Sequence, residues 1–481
     1  MKLINPRVAL GILSTILQLE AISFLLCVPV AIIYGEPLTP FLLSSIATAI
    51  VWLIFRFLGK GMEDVKIGRK DTFLIVTFAW VLFPLFGALP YIISKSIPGF
   101  VNAYFESVSG FTTTGASILS NVEALPYSIL FWRSLTHWIG GLGIFVLVLI
   151  VLPSLNISGY HLFSLESSLK EKIHPKAKGV GYRILIIYVT LTVLEIIFLV
   201  AGDMNLFDSI CHAFGTVATG GFSTKNTSLL DYSAYSQYVV MIFMIMAGTS
   251  QVVFYYLFKR NFRKVAGNEE LRFYLIVILV AGALASGILL LETPKPVEAA
   301  FREGYFQIVS IITCTGFATA DYIFWPSAAV FLIFLLMFAG GSTGSTSGGI
   351  KMARHLLILK NIKKSIMRSG HPNAIFTVRL NGRNVEEQTS LSIFSFIYLY
   401  LFLFLLGTMM LILFGSDPLT SASSVATCMA GIGPGMGAVG PMSNYAAMPE
   451  ISKIVLSVAM ILGRLEILTV FALFSKSFWK V

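Results

Sequence analysis

Phe111-Thr112-Thr113-Thr114-Gly115-Ala116 stands in contradiction to the sequence on both sides of it. The flanking runs are apolar and long enough to cross a bilayer, whereas three threonines and a glycine resist helix formation. Lipid offers no water to backbone N–H and C=O groups. Irregular backbone at membrane depth therefore survives only where protein buries it or where it lines a watery cavity. Glycine reaches backbone angles that other residues avoid, and threonine adds a hydroxyl to its carbonyl oxygen. Related breaks recur at Ala218-Thr219-Gly220-Gly221-Phe222, Cys314-Thr315-Gly316-Phe317 and Gly431-Ile432-Gly433-Pro434-Gly435. Aligned on Gly115, Gly220, Gly316 and Gly433, they are 105, 96 and 117 residues apart, which reads as a fourfold internal repeat.

Of 481 residues, 56% are hydrophobic and 12% charged, against roughly 45–50% and 25% in soluble domains. This is the composition of an integral membrane protein surrounded by lipid. The formal net charge of +10 does not indicate nucleic acid, because the aromatics are scattered through apolar 20-mers and form no stacking surface. Cys27, Cys211, Cys314 and Cys428 show neither zinc-site spacing nor a disulfide framework. An enzyme is not expected, since no cofactor fingerprint or nucleophile–base set is present. Gly344 to Lys351 only superficially resembles a phosphate-binding loop: Lys351 does not follow the second glycine, and no strand precedes it. Gly433 to Ala438 fits a dinucleotide fingerprint equally superficially.

The expected fold is all-α. Residues 1–71 form an N-terminal extension of two transmembrane helices, about Val8 to Tyr34 and Leu38 to Leu58. The first is too long for a signal peptide and lacks a small-x-small cleavage site. Four pore repeats follow at 72–153, 180–260, 272–366 and 388–481, each an outer helix, a short re-entrant helix, a filter-like loop and an inner helix around one central pore. Short helices are expected at Val101 to Gly110 and near Leu206 to Val217. Ten crossings place both termini on one side. That side collects 27 of the 34 Lys and Arg residues, so it is the cytoplasmic one and the filter loops face outward.

Four such loops supply the parts of a ring of backbone carbonyls that replaces the hydration shell of K⁺. The candidates are Thr113, Thr114 and Gly115; Ala218, Thr219 and Gly220; Cys314, Thr315 and Gly316; and Gly431, Ile432 and Gly433. K⁺ is the expected cargo, with no covalent cofactor. A polar run of Gly341, Ser342, Thr343, Gly344, Ser345, Thr346, Ser347, Gly348 and Gly349 interrupts an inner helix that begins near Ser327 and resumes near Ile350. Arg464 lies midway along the last inner helix, where an arginine is costly. Glu466, two residues on, does not face it on a helix. Arg133 and His137 read as structural.

The whole set resembles the Trk/Ktr/HKT superfamily of potassium transporters, and within it the TrkH-type membrane subunit, which has the extra N-terminal helix pair. The resemblance rests on Phe105-Glu106-Ser107, Phe111 to Gly115, Trp138 to Ile144, Thr219 to Thr224, Gly340 to Gly349 and Gly463-Arg464-Leu465-Glu466. Gly431 departs from it, since the family usually has asparagine there. The resemblance implies K⁺ uptake through a gated, channel-like pore in the plasma membrane, the inner membrane in bacteria. It makes 341–349 an intramembrane gating loop and places Arg464 in the pore below the filter. It also implies a homodimer and a cytosolic, nucleotide-binding TrkA-type regulatory subunit. Sodium-preferring plant relatives carry serine at the first filter glycine, so glycine at all four positions favours potassium. The alternative is a secondary transporter, a K⁺/Na⁺ or K⁺/H⁺ symporter working by alternating access. That mode calls for inverted repeats with a midplane site, and these repeats are parallel.

Overall fold

The structure is a computed structural model and describes residues 6–60, 69–146 and 177–479. The N-terminal part comprises α1 (Pro6–Leu25), α2 (Val28–Ile33) and α3 (Thr39–Leu58). α1 stops just before Pro29, whose ring cannot continue the hydrogen-bond ladder. α1 and α3 lie side by side, with Gly11 against Gly59 and Ser45 Oγ donating to Ala21 O at 2.8 Å.

The remaining helices follow in four sets along the chain. First come α4 (Arg69–Gly87), α5 (Leu89–Ile93), the short α6 (Phe100–Phe111) and α7 (Tyr127–Val146). Next are α8 (Ala177–Val200), the short α9 (Leu206–Val217), α10 (Ala234–Ala247), α11 (Gln251–Phe258) and α12 (Phe262–Ala266). The third set is α13 (Glu269–Glu292), α14 (Val297–Ile312), α15 (Ser327–Leu336) and α16 (Met352–Gly370). The last is α17 (Glu387–Leu413), the short α18 (Pro418–Ala430), α19 (Glu450–Arg464), α20 (Leu468–Leu473) and α21 (Lys476–Trp479). The helix expected over Leu206 to Val217 has those bounds. The first repeat, expected over 72–153, lies partly outside the described residues.

Within this helical fold, Arg379–Leu380 and Arg383–Asn384 form a two-stranded hairpin. Its Asn381-Gly382 turn takes positive φ at both residues, as tight hairpin turns require. One expectation needs correction: the second and fourth helices that return after the glycine segments do not cross unbroken. By length and composition, six of the described helices can span a membrane, or seven with α10 and α11 counted as one bent span. α10 and α11 meet at 96° across Gly248-Thr249-Ser250. α15 and α16 are separated by the polar loop, and α19 ends at Leu465-Glu466-Ile467, with Glu466 at φ +55°.

The short helices sit at the centre, inside one apolar core that draws Phe105, Trp132, Val240, Phe306 and Leu456 from different repeats. In α18 nearly every residue from Thr420 to Ala430 is buried. Two of its hydroxyls are satisfied within the helix: Ser424 Oγ bonds Thr420 O at 2.5 Å and Thr427 Oγ1 bonds Ser423 O at 2.8 Å.

Two carboxylates cap the helices that return from the ring. Asp203 accepts from Ser233 N at 2.8 Å, Ser233 Oγ at 2.6 Å and Ser236 Oγ at the start of α10. Burial opposes its ionisation, but these hydrogen bonds outweigh it and hold the carboxyl below its ordinary range. At the start of α7 the carboxylate comes from the N-terminal part instead. Glu36 accepts from Tyr127 N at 2.6 Å, Ser128 N at 2.9 Å and Ser128 Oγ at 2.5 Å. Tyr34 stacks on Tyr127 with centroids 4.0 Å apart beside it. Glu36→Ala is therefore expected to cost about 1–2 kcal/mol, the usual range for a lost cap. Chemical denaturation in detergent checks this, and an unshifted midpoint with normal insertion would show that the extension does not support α7.

Candidate functional site

Each short helix ends in the same way. The residue after its last turn takes positive φ: Thr113 at 53°, Thr219 at 54°, Cys314 at 56° and Gly431 at 73°. The next amide reaches five residues back, Thr114 N to Ser109 O and Thr315 N to Ser310 O at 2.9 Å, Gly220 N to Gly215 O at 2.7 Å, and Ile432 N to Thr427 O at 2.9 Å. This is the Schellman helix ending, whose left-handed position normally takes glycine or asparagine. Only the fourth segment has glycine there. Threonine at φ near +54° is an outlier costing about 1–3 kcal/mol. Gly431, the departure from the family pattern, thus takes the strained position without strain.

Two residues beyond the left-handed position, a second positive φ falls at Gly115 (81°), Gly221 (79°), Gly316 (84°) and Gly433 (91°). This corrects the alignment of the second segment: Gly221, not Gly220, matches the other three glycines, and Ala218 is the helix cap one residue before the left-handed position. The matching triplets are Thr113-Thr114-Gly115, Thr219-Gly220-Gly221, Cys314-Thr315-Gly316 and Gly431-Ile432-Gly433. Gly220 is held by a different contact, since a Cβ there would lie 2.5 Å from the His137 ring.

The four triplets close on one another in chain order. A Cβ on Gly115 would lie 2.2 Å from Gly220 O, on Gly221 2.0 Å from Thr315 O, on Gly316 1.8 Å from Ile432 O, and on Gly433 2.5 Å from Thr114 O. Each third-position glycine thus packs on the middle carbonyl of the following segment, and the last returns to the first. Among the described residues, no hydrogen bond is donated to the middle carbonyls of Thr114, Gly220, Thr315 and Ile432 or to the preceding carbonyls of Thr113, Thr219, Cys314 and Gly431. A cavity of about 110 Å³ opens on the ring and is lined by Gly115, Gly221, Gly316 and Pro434, with Arg133, Lys225, Asn226 and Asn444 further out.

A different brace crosses each seam outside the ring. Between the first and second segments, buried Arg133 pairs with Glu106 Oε1 at 2.9 Å, donates to Ser223 O at 3.2 Å, and stacks over Phe222 at 4.0 Å. His137 works at the same seam. Its Nδ1 meets Gly110 O at 2.8 Å and its Nε2 accepts from Phe222 N at 3.2 Å, which fixes a neutral ring protonated on Nδ1. Between second and third, Leu229 N bonds Ala318 O and Ala318 N bonds Ser228 Oγ. Tyr322 OH donates to Gly435 O at 2.7 Å between third and fourth. Tyr445 closes the last seam, with OH to Gly433 O at 2.7 Å and N to Ser117 O at 2.8 Å. Tyr322 and Tyr445 were not singled out from sequence, and Glu106 only as part of the Phe105-Glu106-Ser107 stretch; the signal for its pairing was an acid opposite an arginine in apolar surroundings.

The polar run 341–349 lies against the helix ends that lead into the ring. Ser347 Oγ donates to Thr313 O at 2.5 Å, and Thr346 Oγ1 contacts Val217 O at 3.1 Å and Ala247 O at 3.3 Å. A Cβ on Gly348 would lie 2.1 Å from Ala430 O. Ser342 N bonds Gly248 O and Gln251 N bonds Gly344 O, which ties the loop into the α10–α11 break. Arg464 is buried beside it, donating to Thr346 O and to Gly140 O, each at 2.9 Å. Glu466 faces away from Arg464 and pairs with Arg354. Arg354 in turn stacks over Phe396 at 3.9 Å. Among the described residues, no group of three or more His, Cys, Asp or Glu side chains is placed to hold a metal ion.

A family model described as a cation transport protein, TrkH, matches residues 42–278 and 271–480. The chain is 32% identical to the Trk system potassium uptake protein TrkH of Halomonas elongata, over 98% of this chain and 99% of that one. It is 32% identical to the Trk system potassium uptake protein TrkG of Escherichia coli, over 99% of both. The crystal structure of the potassium transporter TrkH from Vibrio parahaemolyticus superposes with a TM-score of 0.91 at 28% identity, covering 99% of this chain and all of that one. With a family match over most of its length and apolar helices long enough to span a bilayer, this chain is a multi-pass integral membrane protein and belongs to the TrkH family of cation transport proteins.

Proposed function

We propose that this protein takes up K⁺ through a gated, channel-like pore, with the four triplets as its filter. The observation that carries this reading is the ring of carbonyls that, among the described residues, no donor meets. An unpaired buried carbonyl costs free energy, and a dehydrated cation at the ring centre compensates several at once. The filter residues are Thr113, Thr114 and Gly115; Thr219, Gly220 and Gly221; Cys314, Thr315 and Gly316; and Gly431, Ile432 and Gly433. Repeats 72–153, 180–260, 272–366 and 388–481 surround it, and the 1–71 extension lies outside. The 341–349 loop with Arg464 is the gate. Basic loops put both termini in the cytoplasm and the ring's cavity on the outer face of a bacterial plasma membrane. A homodimer and a cytosolic, nucleotide-binding TrkA-type subunit complete the assembly. Four parallel segments sharing one ring favour this mode over alternating access. K⁺ flux into proteoliposomes tests it: the expected result is K⁺ flux well above Na⁺ flux, and equal fluxes would overturn the filter.

Gly316→Ser should weaken the preference for K⁺ over Na⁺, because its Cβ meets Ile432 O and the two segments must part. Gly431→Asn should leave selectivity intact. Its Cβ has only Thr113 O at 3.8 Å, and asparagine accepts left-handed angles. Reversal potentials in mixed ions decide, and two variants of equal selectivity would refute the steric account.

Arg464 places a charge among carbonyls that otherwise favour a cation. At about 8 Å and an effective dielectric near 20, two unit charges interact by roughly 2 kcal/mol. Arg464→Ala is therefore expected to raise K⁺ flux by up to about 30-fold. Arg464→Lys should retain much of the barrier, since the charge remains although it reaches fewer carbonyls. A fall in flux for Arg464→Ala, with normal insertion, would assign the arginine a supporting role instead.

Deleting Ser342 to Ser347 should raise K⁺ flux and weaken its dependence on any regulatory subunit. The same flux assay with and without that subunit checks this, and unchanged flux would count against the loop as gate.

A further inference from the structure

Glu270, in the first turn of α13, is buried, and one of its oxygens accepts three hydrogen bonds. Oε1 takes Thr343 N at 2.7 Å, Thr343 Oγ1 at 3.1 Å and Ala353 N at 3.0 Å. Thr343 lies inside the polar loop, and Ala353 opens α16 just beyond it. A single carboxylate oxygen thus holds both ends of the segment that sits under the ring. Two of the three donors are backbone amides, which cannot rotate away as side chains do.

The adjacent residue faces the other way. Glu269 pairs with Lys360 on α16, and its amide donates to Asn381 Oδ1 in the hairpin turn at 2.8 Å. The first turn of α13 therefore joins the loop on one side to the hairpin on the other.

We propose that Glu270 is the positioning residue that latches the 341–349 loop beneath the ring, an inference that rests on the reading of that loop as the gate. Two plainer roles predict other outcomes. An acid in a first helical turn stabilises the helix dipole from any rotamer, so its loss would cost stability without raising flux. An acid that attracts permeating cations would lower flux when removed. A latch alone gives a gain.

K⁺ flux is measured in proteoliposomes with the full chain, Glu270→Ala, Glu270→Gln, the Ser342 to Ser347 deletion, and the deletion combined with Glu270→Ala. The latch predicts a rise of at least about tenfold for Glu270→Ala, since three bonds to one oxygen are lost. It predicts flux within about twofold of the parent for Glu270→Gln, whose amide oxygen still accepts. The combined variant should show no rise beyond the deletion alone. Unchanged or reduced flux in Glu270→Ala, with normal insertion, overturns the latch, as does an equal rise in Glu270→Gln. If the deletion raises flux and Glu270→Ala does not, the latch alone falls. If the deletion itself fails to raise flux, the gate reading falls instead.

Discussion

A backbone carbonyl buried in a membrane needs a positive partner, and eight of them meet here without one among the described residues. The cause is local. A Schellman ending uses the amides at the end of each short helix and leaves the following carbonyls unspent. Repeated four times and closed by glycine-to-carbonyl contacts, this ending gathers its unspent acceptors in one place. The short helices add to the effect, because each directs its negative C-terminal end toward the same point. Much of the surrounding architecture is a means of burying these ends.

Four identical seams did not require four identical supports. The backbone contacts at the seams are nearly the same, yet one is braced by a buried ion pair and a histidine, one by backbone and serine bonds, and two by tyrosines. What the seams share is that every brace ends on backbone of the ring segments or just beyond them. Such contacts fix carbonyl direction, and selectivity by coordination depends on that direction. The left-handed threonines and cysteine are consistent with this, since strain persists only where surrounding contacts over-determine it. The N-terminal helices join the same scheme through Glu36, which gives α7 the cap that Asp203 gives α10.

Much of this was legible in the sequence where the cause was local. The apolar runs marked the long helices, and Thr/Gly breaks between them marked the four segments. Leu206 to Val217 could be bounded because Asn205 caps its start and a glycine pair follows it. The choice between Gly220 and Gly221 was not legible. The local sequence offers two adjacent glycines, and the atom that decides between them, Thr315 O, lies in another repeat. The bend at Gly248-Thr249-Ser250 had a signal in its small and polar residues, but hydropathy alone reads straight through it. Asn381-Gly382 was a plain hairpin signal overshadowed by the helices around it. Glu270 looked like an ordinary first-turn acid, because its donors come from residues more than seventy positions away.

The loop beneath the ring differs from the rest of the interior in how it is held. The core packs by shape, and repacking it means opening cavities. The loop is held chiefly by hydrogen bonds from Ser342, Thr343, Thr346, Ser347 and Arg464 to carbonyls and one carboxylate. Each is worth only about 0.5–1.5 kcal/mol net. Hydroxyls and glycines can find such partners in more than one position, and water that reaches them can replace those that are lost. Moving this segment therefore requires exchanging a few bonds rather than breaking a packed interface. Coupling energies between distant sites are typically about 1–3 kcal/mol. A loop built this way lies within reach of such a signal, whereas a continuous, well-packed helix at the same place would not.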